Sequence, residues 1–434
     1  MNIRPFEIAL IGVFAVAAII GLIFLSNYTA KNSETDKIYG ESVVIWGTLD
    51  KKVMDDFLFE LTQTNKSLSV VDYVQVDSRS FDNKFVNAIA DGVAPDLIIM
   101  PHTNLVSLQS KLQPISFDSL PERTFKDTYI DGASIFLRSD GVYGIPFAAD
   151  PLVMYWNKDI FSSGGLASPP KTWEALVSQT VKALVRKNDN LEITQSALAF
   201  GEYVNVAHAK EVLAMLFMQS GSSLVEERDA TYSVTLNRET GNALSSGDAV
   251  LTFYTQFAMP NKDLYTWNRS KRLDRTEFLG GSLALYFGLG SERKSLVREN
   301  ANLNFDMAPV PQGSEATILR DYATFYAFSI PRSSRNIEGA YGVANYLASP
   351  ANVSVLVDVY NFAPAHRSLY GGAISDPYKS ILYQSALVSR GWLDPSPNES
   401  GQIFRAMVEE VTSGRSRLKS VIMDGVQQLE NLFR

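Results

Sequence analysis

Between residues 42 and 101 short apolar runs alternate with segments of helical period, and this alternation constrains the fold more than any other feature of the chain. SVVIWG (42–47), LSVVDYVQV (68–76) and DLIIMP (96–101) are strand-like. DDFLFELTQ (55–63) and FDNKFVNAIADG (81–92) space apolar residues three and four apart and read as helices, the second stopped by glycine. Strands separated by helices of this length need crossover connections, which give a mainly parallel sheet. A continuous apolar run such as Leu97–Met100 suits a strand covered on both faces. At 434 residues the chain exceeds what one core organises, so two domains or lobes are expected.

Further along, the pattern changes around VYGIPFAADPLVMYWNKDIF (142–161), where Asp150-Pro151 stands between two strand-like runs. A residue before proline is pushed to extended geometry, so Asp150 reads either as a turn residue or as a functional carboxylate. KTWEALVSQTVKALV (171–185), HAKEVLAMLFMQSG (208–221), IEGAYGVANYLAS (337–349) and NVSVLVDVY (352–360) read as helices. SLALYFG (282–288) and TFYAFSIP (324–331) read as strands. No repeat or low-complexity linker divides the body, which fits an α/β protein whose chain crosses between lobes more than once.

From Ile8 to Leu25 the residues IALIGVFAVAAIIGLIFL carry no charge. A bilayer takes about 20 helical residues, whereas a cleavable signal has a shorter core of roughly 7–15 residues. Residues 1–25 are therefore expected to be an uncleaved transmembrane anchor, with a cleaved signal as the other reading, and residues 26–40 a polar tether. A weak charge bias places the short end in the cytoplasm and the body on the extracellular or periplasmic side. The net charge of -8, without a basic run, argues against nucleic acid as a partner. There is no cysteine for a disulfide, a nucleophile or a lipid, and the three histidines are not at metal-ligand spacing. No cofactor or metal is expected. Neither a serine-hydrolase context nor a phosphate-cradling Gly-Lys-Ser/Thr loop occurs.

Six segments in order resemble the family 1 extracellular solute-binding proteins of ABC importers, the group that contains maltose-binding protein. They are VVIWG, FVNAIADGVAPDLIIM, GVYGIPFAADPLVMYWNKDIF with SPPKTWEAL, GGSLALYFG, FDMAPVPQG and NFAPAHRSLY, spread over nearly all of residues 41–434. The resemblance implies a class II periplasmic-binding fold with hinge crossings. The first lobe would be residues 41–149 plus 326–372, the second 150–325 plus 373–434. It further implies a monomer that closes on a small solute, most simply a mono- or oligosaccharide, and presents it to the transmembrane subunits of an ABC permease. Closure would depend on ligand, since a ligand shifts an equilibrium only by its differential affinity for the two states.

By this resemblance Asp150 would be the cleft carboxylate at the first crossing, accepting sugar hydroxyls. Trp46 would offer an indole face at the end of the first strand. Met100, His102 and Thr103 follow a strand end where open α/β sheets bind ligands. The family's maltose binders carry an aromatic and a charged pair there, so maltodextrin specificity does not carry over. Glu202, Tyr203 and Asn205 would supply contacts from the second lobe, Tyr286 and Gly288 from a strand end, and Phe404 a stacking ring. Trp267 sits in a loop from which it could project into the cleft, whereas Trp156 and Trp173 are expected to pack. Two other classes remain open at this level. A membrane-tethered sensor or adhesin ectodomain could use the same fold, and a glycoside-acting enzyme could use Asp150 and Glu202 as its two carboxylates.

Overall fold

A computed structural model describes residues 39–40, 42–228, 231–239 and 245–434. They form two compact units, one made by the chain up to Ile98 with Ser333–Asn345, the other by Ile99–Arg332 with Tyr346–Arg434. The apolar run 8–25 and nearly all of the tether lie outside the described residues. Among the described residues no helix is long and apolar enough to cross a membrane.

In the first unit β1 (Val43–Gly47) runs parallel to β2 (Val71–Gln75), with Val43 opposite Val71 and Gly47 opposite Gln75. It also runs parallel to the start of β3 (Leu97–Pro101), with Ile45 opposite Leu97 and Trp46 opposite Ile98. The connections are α1 (Lys51–Thr64) and α2 (Phe81–Ala90), as the apolar spacing requires. The first amides of a helix lack partners, and Asp50 satisfies one by accepting the Val53 amide at 3.0 Å. Asp96 closes the turn before β3: one carboxylate oxygen accepts the Val44 amide at 3.1 Å and the other the Ser334 hydroxyl at 2.9 Å.

The second unit is organised on β4 (Ile145–Asn157), followed by β5 (Ile193–Leu198), α3 (Ala209–Gln219), β6 (Leu283–Leu289), β7 (Phe305–Ala308) and β8 (Asp321–Ser329). β8 pairs antiparallel with the first half of β4, from Phe328 opposite Ile145 to Ala323 opposite Pro151. β6 and β7 pair antiparallel with its second half, and β5 lies parallel to β6. The expectation of two strand-like runs separated by Asp150-Pro151 is corrected here, because β4 is one uninterrupted strand of 13 residues. Proline cannot donate to a ladder and is usually kept off interior strands. Pro151 is tolerated because pairing with β8 ends at Pro151 and pairing with β6 begins at Leu152, so the missing donor falls at a change of partner.

The β-branched segment 352–360 is helical, as expected, within Pro350–Tyr360. Proline in the first turn presets φ there, and Asn361 ends the helix in the left-handed region at φ 60°. The helical segment 171–185 is interrupted by a π-turn, Leu176–Thr180, between Trp173–Ala175 and Val181–Leu184.

Candidate functional site

β8 alternates Tyr322, Thr324 and Tyr326 with Ala323, Phe325 and Ala327, so the three hydroxyl-bearing side chains share one face. Thr324 lies directly opposite Asp150 on β4, which places the Asp150 carboxylate on that same face. Tyr322 is buried, whereas Thr324 and Tyr326 are half-buried. The Tyr326 ring stacks on Phe362 at a centroid distance of 5.1 Å, and Phe362 in turn on Tyr360 at 5.6 Å. Glu211 in the first turn of α3, Asp394 and Thr324 all bear on the Tyr322 hydroxyl, and burial foremost holds that phenol well above its ordinary pKa.

The turn after β6, Gly290–Glu292, is bound into this face through nearly every polar group it has. Asp150 accepts the Ser291 amide at 3.0 Å and the Ser291 hydroxyl at 2.6 Å. The Tyr155 hydroxyl donates to the Leu289 carbonyl at 2.8 Å, and the Asn361 amide to the Gly290 carbonyl at 2.6 Å. Glu292 accepts the Leu289 amide at 3.0 Å and the Tyr286 hydroxyl at 2.7 Å, and meets His208 Nε2 at 2.6 Å. Gly288 makes this possible, since a Cβ there would lie 2.5 Å from the Tyr286 ring.

Burial and pairing set the charges. Burial pushes Asp150 up to about 7, against the opposing hydrogen bonds from Ser291. Burial would also discharge His208 and Glu292. Their mutual attraction and hydrogen bond win instead, holding His208 charged to about pH 9 and Glu292 ionised to about pH 2. Asp274, which accepts the Ala207 amide at 3.0 Å, is raised to about 6 by burial. Lys210 bonds the fully buried Asp394, the Pro397 carbonyl at 2.9 Å and the Ser400 hydroxyl at 2.7 Å, and lies 5.5 Å from the Trp392 ring centroid.

The expected site residues fall into several places. Asp150, Tyr286 and Gly288 come together around the Gly290–Glu292 turn. His102 lies beside Tyr322, their ring centroids 6.0 Å apart, and is fully buried with its pKa lowered to about 3 by burial and by Lys210. Its Nδ1 accepts the Phe325 amide at 3.1 Å, so the proton sits on Nε2, which abuts Gly391. Met100 is fully buried, and Thr103 bonds its neighbour Asn104 at 3.3 Å. Glu202 accepts Arg269 at 3.1 and 3.2 Å. Tyr203 is half-buried, with Gly401 beside its hydroxyl and its pKa raised by burial and by Glu211 and Asp394.

Asn205 spends its amide on the Asn268 and Lys271 carbonyls, both at 3.0 Å, and accepts the Trp267 indole at 3.1 Å. Trp267 is fully buried and does not project from its loop. Phe404 is fully buried between Phe217 and Trp392. Trp46 belongs to the other unit, where it is half-buried on β1. The sequence reading did not single out Tyr322, Thr324, Tyr326, Glu211, Ser291 and Glu292, nor His208 as part of a site. For the strand residues a signal existed in DYATFYAF, whose strict alternation marks a strand with one polar face.

The result is a half-open face of hydroxyls and rings whose carboxylates Asp150 and Glu292 are committed to holding backbone and histidine. A model of the bacterial extracellular solute-binding protein family matches residues 60–380. This chain belongs to that family, which is one of binding proteins of ABC importers rather than enzymes.

Solved structures with the same fold include a cyclo/maltodextrin-binding protein complexed with maltotetraose, with a TM-score of 0.71 and 18% identity over 90% of this chain and 97% of that one. A solute-binding protein of Thermotoga lettingae bound with α-D-tagatose gives 0.69 and 18% over 91% and 100%. A sugar-binding protein of Xanthomonas citri gives 0.70 and 17% over 90% and 97%. Among curated proteins, a maltooligosaccharide ABC transporter solute-binding lipoprotein of Streptococcus pneumoniae R6 is 22% identical over 83% of this chain and 80% of its own length. A binding protein of Brucella abortus strain 2308 is 29% identical over 25% of this chain, and the match spans 26% of that relative.

Proposed function

We propose that this protein captures a mono- or oligosaccharide outside the cytoplasmic membrane and delivers it to an ABC permease. The observation that carries the reading is the Tyr322–Thr324–Tyr326 face of β8 opposite Asp150. Alternating hydroxyls and aromatic faces suit the hydroxyl edge and the apolar C–H face of a pyranose. Capture would close lobes 41–149 plus 326–372 and 150–325 plus 373–434 as a hinged pair, the shut form being what the permease reads. The Streptococcus pneumoniae relative is a lipoprotein by name, but this sequence has no cysteine to carry a lipid. The apolar run 8–25 would serve as the anchor in its place.

Thermal-shift screening of a sugar and polyol panel tests the reading, since a ligand at 100 times its Kd adds about 2.7 kcal/mol. A melting point raised by saccharides, and raised only about half as far in Thr324→Val at the same concentration, is the expected result. A panel in which no saccharide acts while another solute class does would overturn it.

A further inference from the structure

A cavity of about 1020 Å³ opens in the second unit between the end of α3, the loop before β8 and Arg390-Gly391. It is lined by none of the residues of the tyrosine face, and three of its lining side chains are arginines: Arg238, Arg320 and Arg390. Among the described residues, the two carboxylates that pair with them are each shared with a second arginine. Arg390 bonds Asp131 at 2.8 Å, but Asp131 is also held by Arg367. Arg238 bonds Glu226, which is shared with Arg228 at 3.1 Å. Each of these two carboxylates is thus shared by two guanidiniums, only one of which lines the cavity.

Arg320 has no carboxylate partner among the described residues, and its guanidinium donates to the carbonyl of its own neighbour Leu319 at 3.1 Å. Glu315 is the one carboxylate among the described lining residues. Proximity to Arg320 adds to burial in lowering the pKa of Arg390, so the two cations repel across the space. In a protein of net charge -8 this cavity sets three planar, bidentate donors against the single lining carboxylate of Glu315.

We propose that this cavity binds a multiply charged oxyanion, a phosphate or sulfate group either free or carried as an ester on a small molecule. Guanidiniums match tetrahedral oxyanions with paired N–H donors, and an anion seated in the cavity relieves the repulsion between Arg320 and Arg390. The site is separate from the proposed sugar face, so either can fail without the other.

The test uses the full chain, titrated by calorimetry and thermal shift with sodium sulfate, sodium phosphate and glucose 6-phosphate, against sodium chloride at equal ionic strength. Saturable binding is expected for at least one probe, weakened tenfold or more in Arg320→Gln and in Arg238→Gln. Binding of the inorganic ions would identify a free-anion site, and binding of glucose 6-phosphate alone an ester site. A response equal to the chloride control, or one unchanged in both variants, would overturn the proposal. Neutral-saccharide shifts measured on the same variants should stay at wild-type values, which keeps this result independent of the sugar reading.

Discussion

Replacing Asp150 with asparagine should change how stability depends on pH. Asp150 is 1% exposed, and its folded pKa is about 7 against an ordinary 3.8. Between about pH 4 and 7 the native protein holds a proton at this site that the unfolded chain has released. Unfolding free energy then falls as pH rises, by about 1.4 kcal/mol per unit, or about 4 kcal/mol across the window as an order of magnitude. Asparagine cannot titrate. It keeps an oxygen to accept the Ser291 amide, now at 3.0 Å, and its NH₂ can donate to the Ser291 hydroxyl, which accepts as well as donates.

The stability difference between Asp150→Asn and wild type should therefore move in the variant's favour by about 3 kcal/mol from pH 4.5 to 8. Urea unfolding followed by tryptophan fluorescence at several pH values measures it, and other titrating groups cancel in the difference. Asp150→Ala is the control: it cannot titrate either, so its difference from wild type should move with pH in the same way, but it leaves the Ser291 amide without an acceptor and should lie about 1–3 kcal/mol below Asp150→Asn at every pH. A difference between Asp150→Asn and wild type that stays constant from pH 4.5 to 8 would refute the assignment of a strongly raised pKa to buried Asp150.

Glu292→Gln removes the charge that keeps buried His208 protonated and should destabilise by about 3–5 kcal/mol, checked by the same urea titrations. In the wild type the His208 contribution is present below its ordinary pKa of 6.5 and is lost as pH rises through about 9. The Glu292 contribution is present above 4.5 and is lost as pH falls through about 2. Gly391→Ala would place a Cβ 2.5 Å from the His102 ring, and a lowered melting point equivalent to about 1–3 kcal/mol is expected from this overpacking. Thr324→Val keeps shape but removes a hydroxyl that also hydrogen-bonds the buried Tyr322 phenol; saccharide affinity should drop about tenfold by calorimetry and the unliganded melting point should fall by the equivalent of about 1–3 kcal/mol.

The elements of the chain were largely legible because they rest on local periodicity. β1, β3, both early helices and the Val-rich helix 350–360 follow from apolar spacing, glycine stops and a leading proline. β4 was less legible, because whether a proline breaks a strand depends on neighbours far away in sequence, here β8 and β6. The site depends on such neighbours still more. Glu292 and His208 are 84 residues apart and Ser291 and Asp150 are 141 apart, and neither pair has a local pattern to announce it. Asn205 and Phe404 show the converse: a polar amide and an aromatic ring, plausible as ligand contacts by type, are spent on loop carbonyls and core packing.

Pro151 also has a mechanical consequence. A strand whose ladder is bonded throughout resists twisting, because rotation of one half against the other must stretch the bonds at the junction. In β4 the residue at that junction has no amide hydrogen, and the partner strands on its two sides are different. Torsion concentrated at Pro151 therefore stretches one bond fewer than it would at a neighbouring residue that donates to the ladder. The backbone that carries Asp150 can turn there while the Ser291 contacts keep the carboxylate aimed.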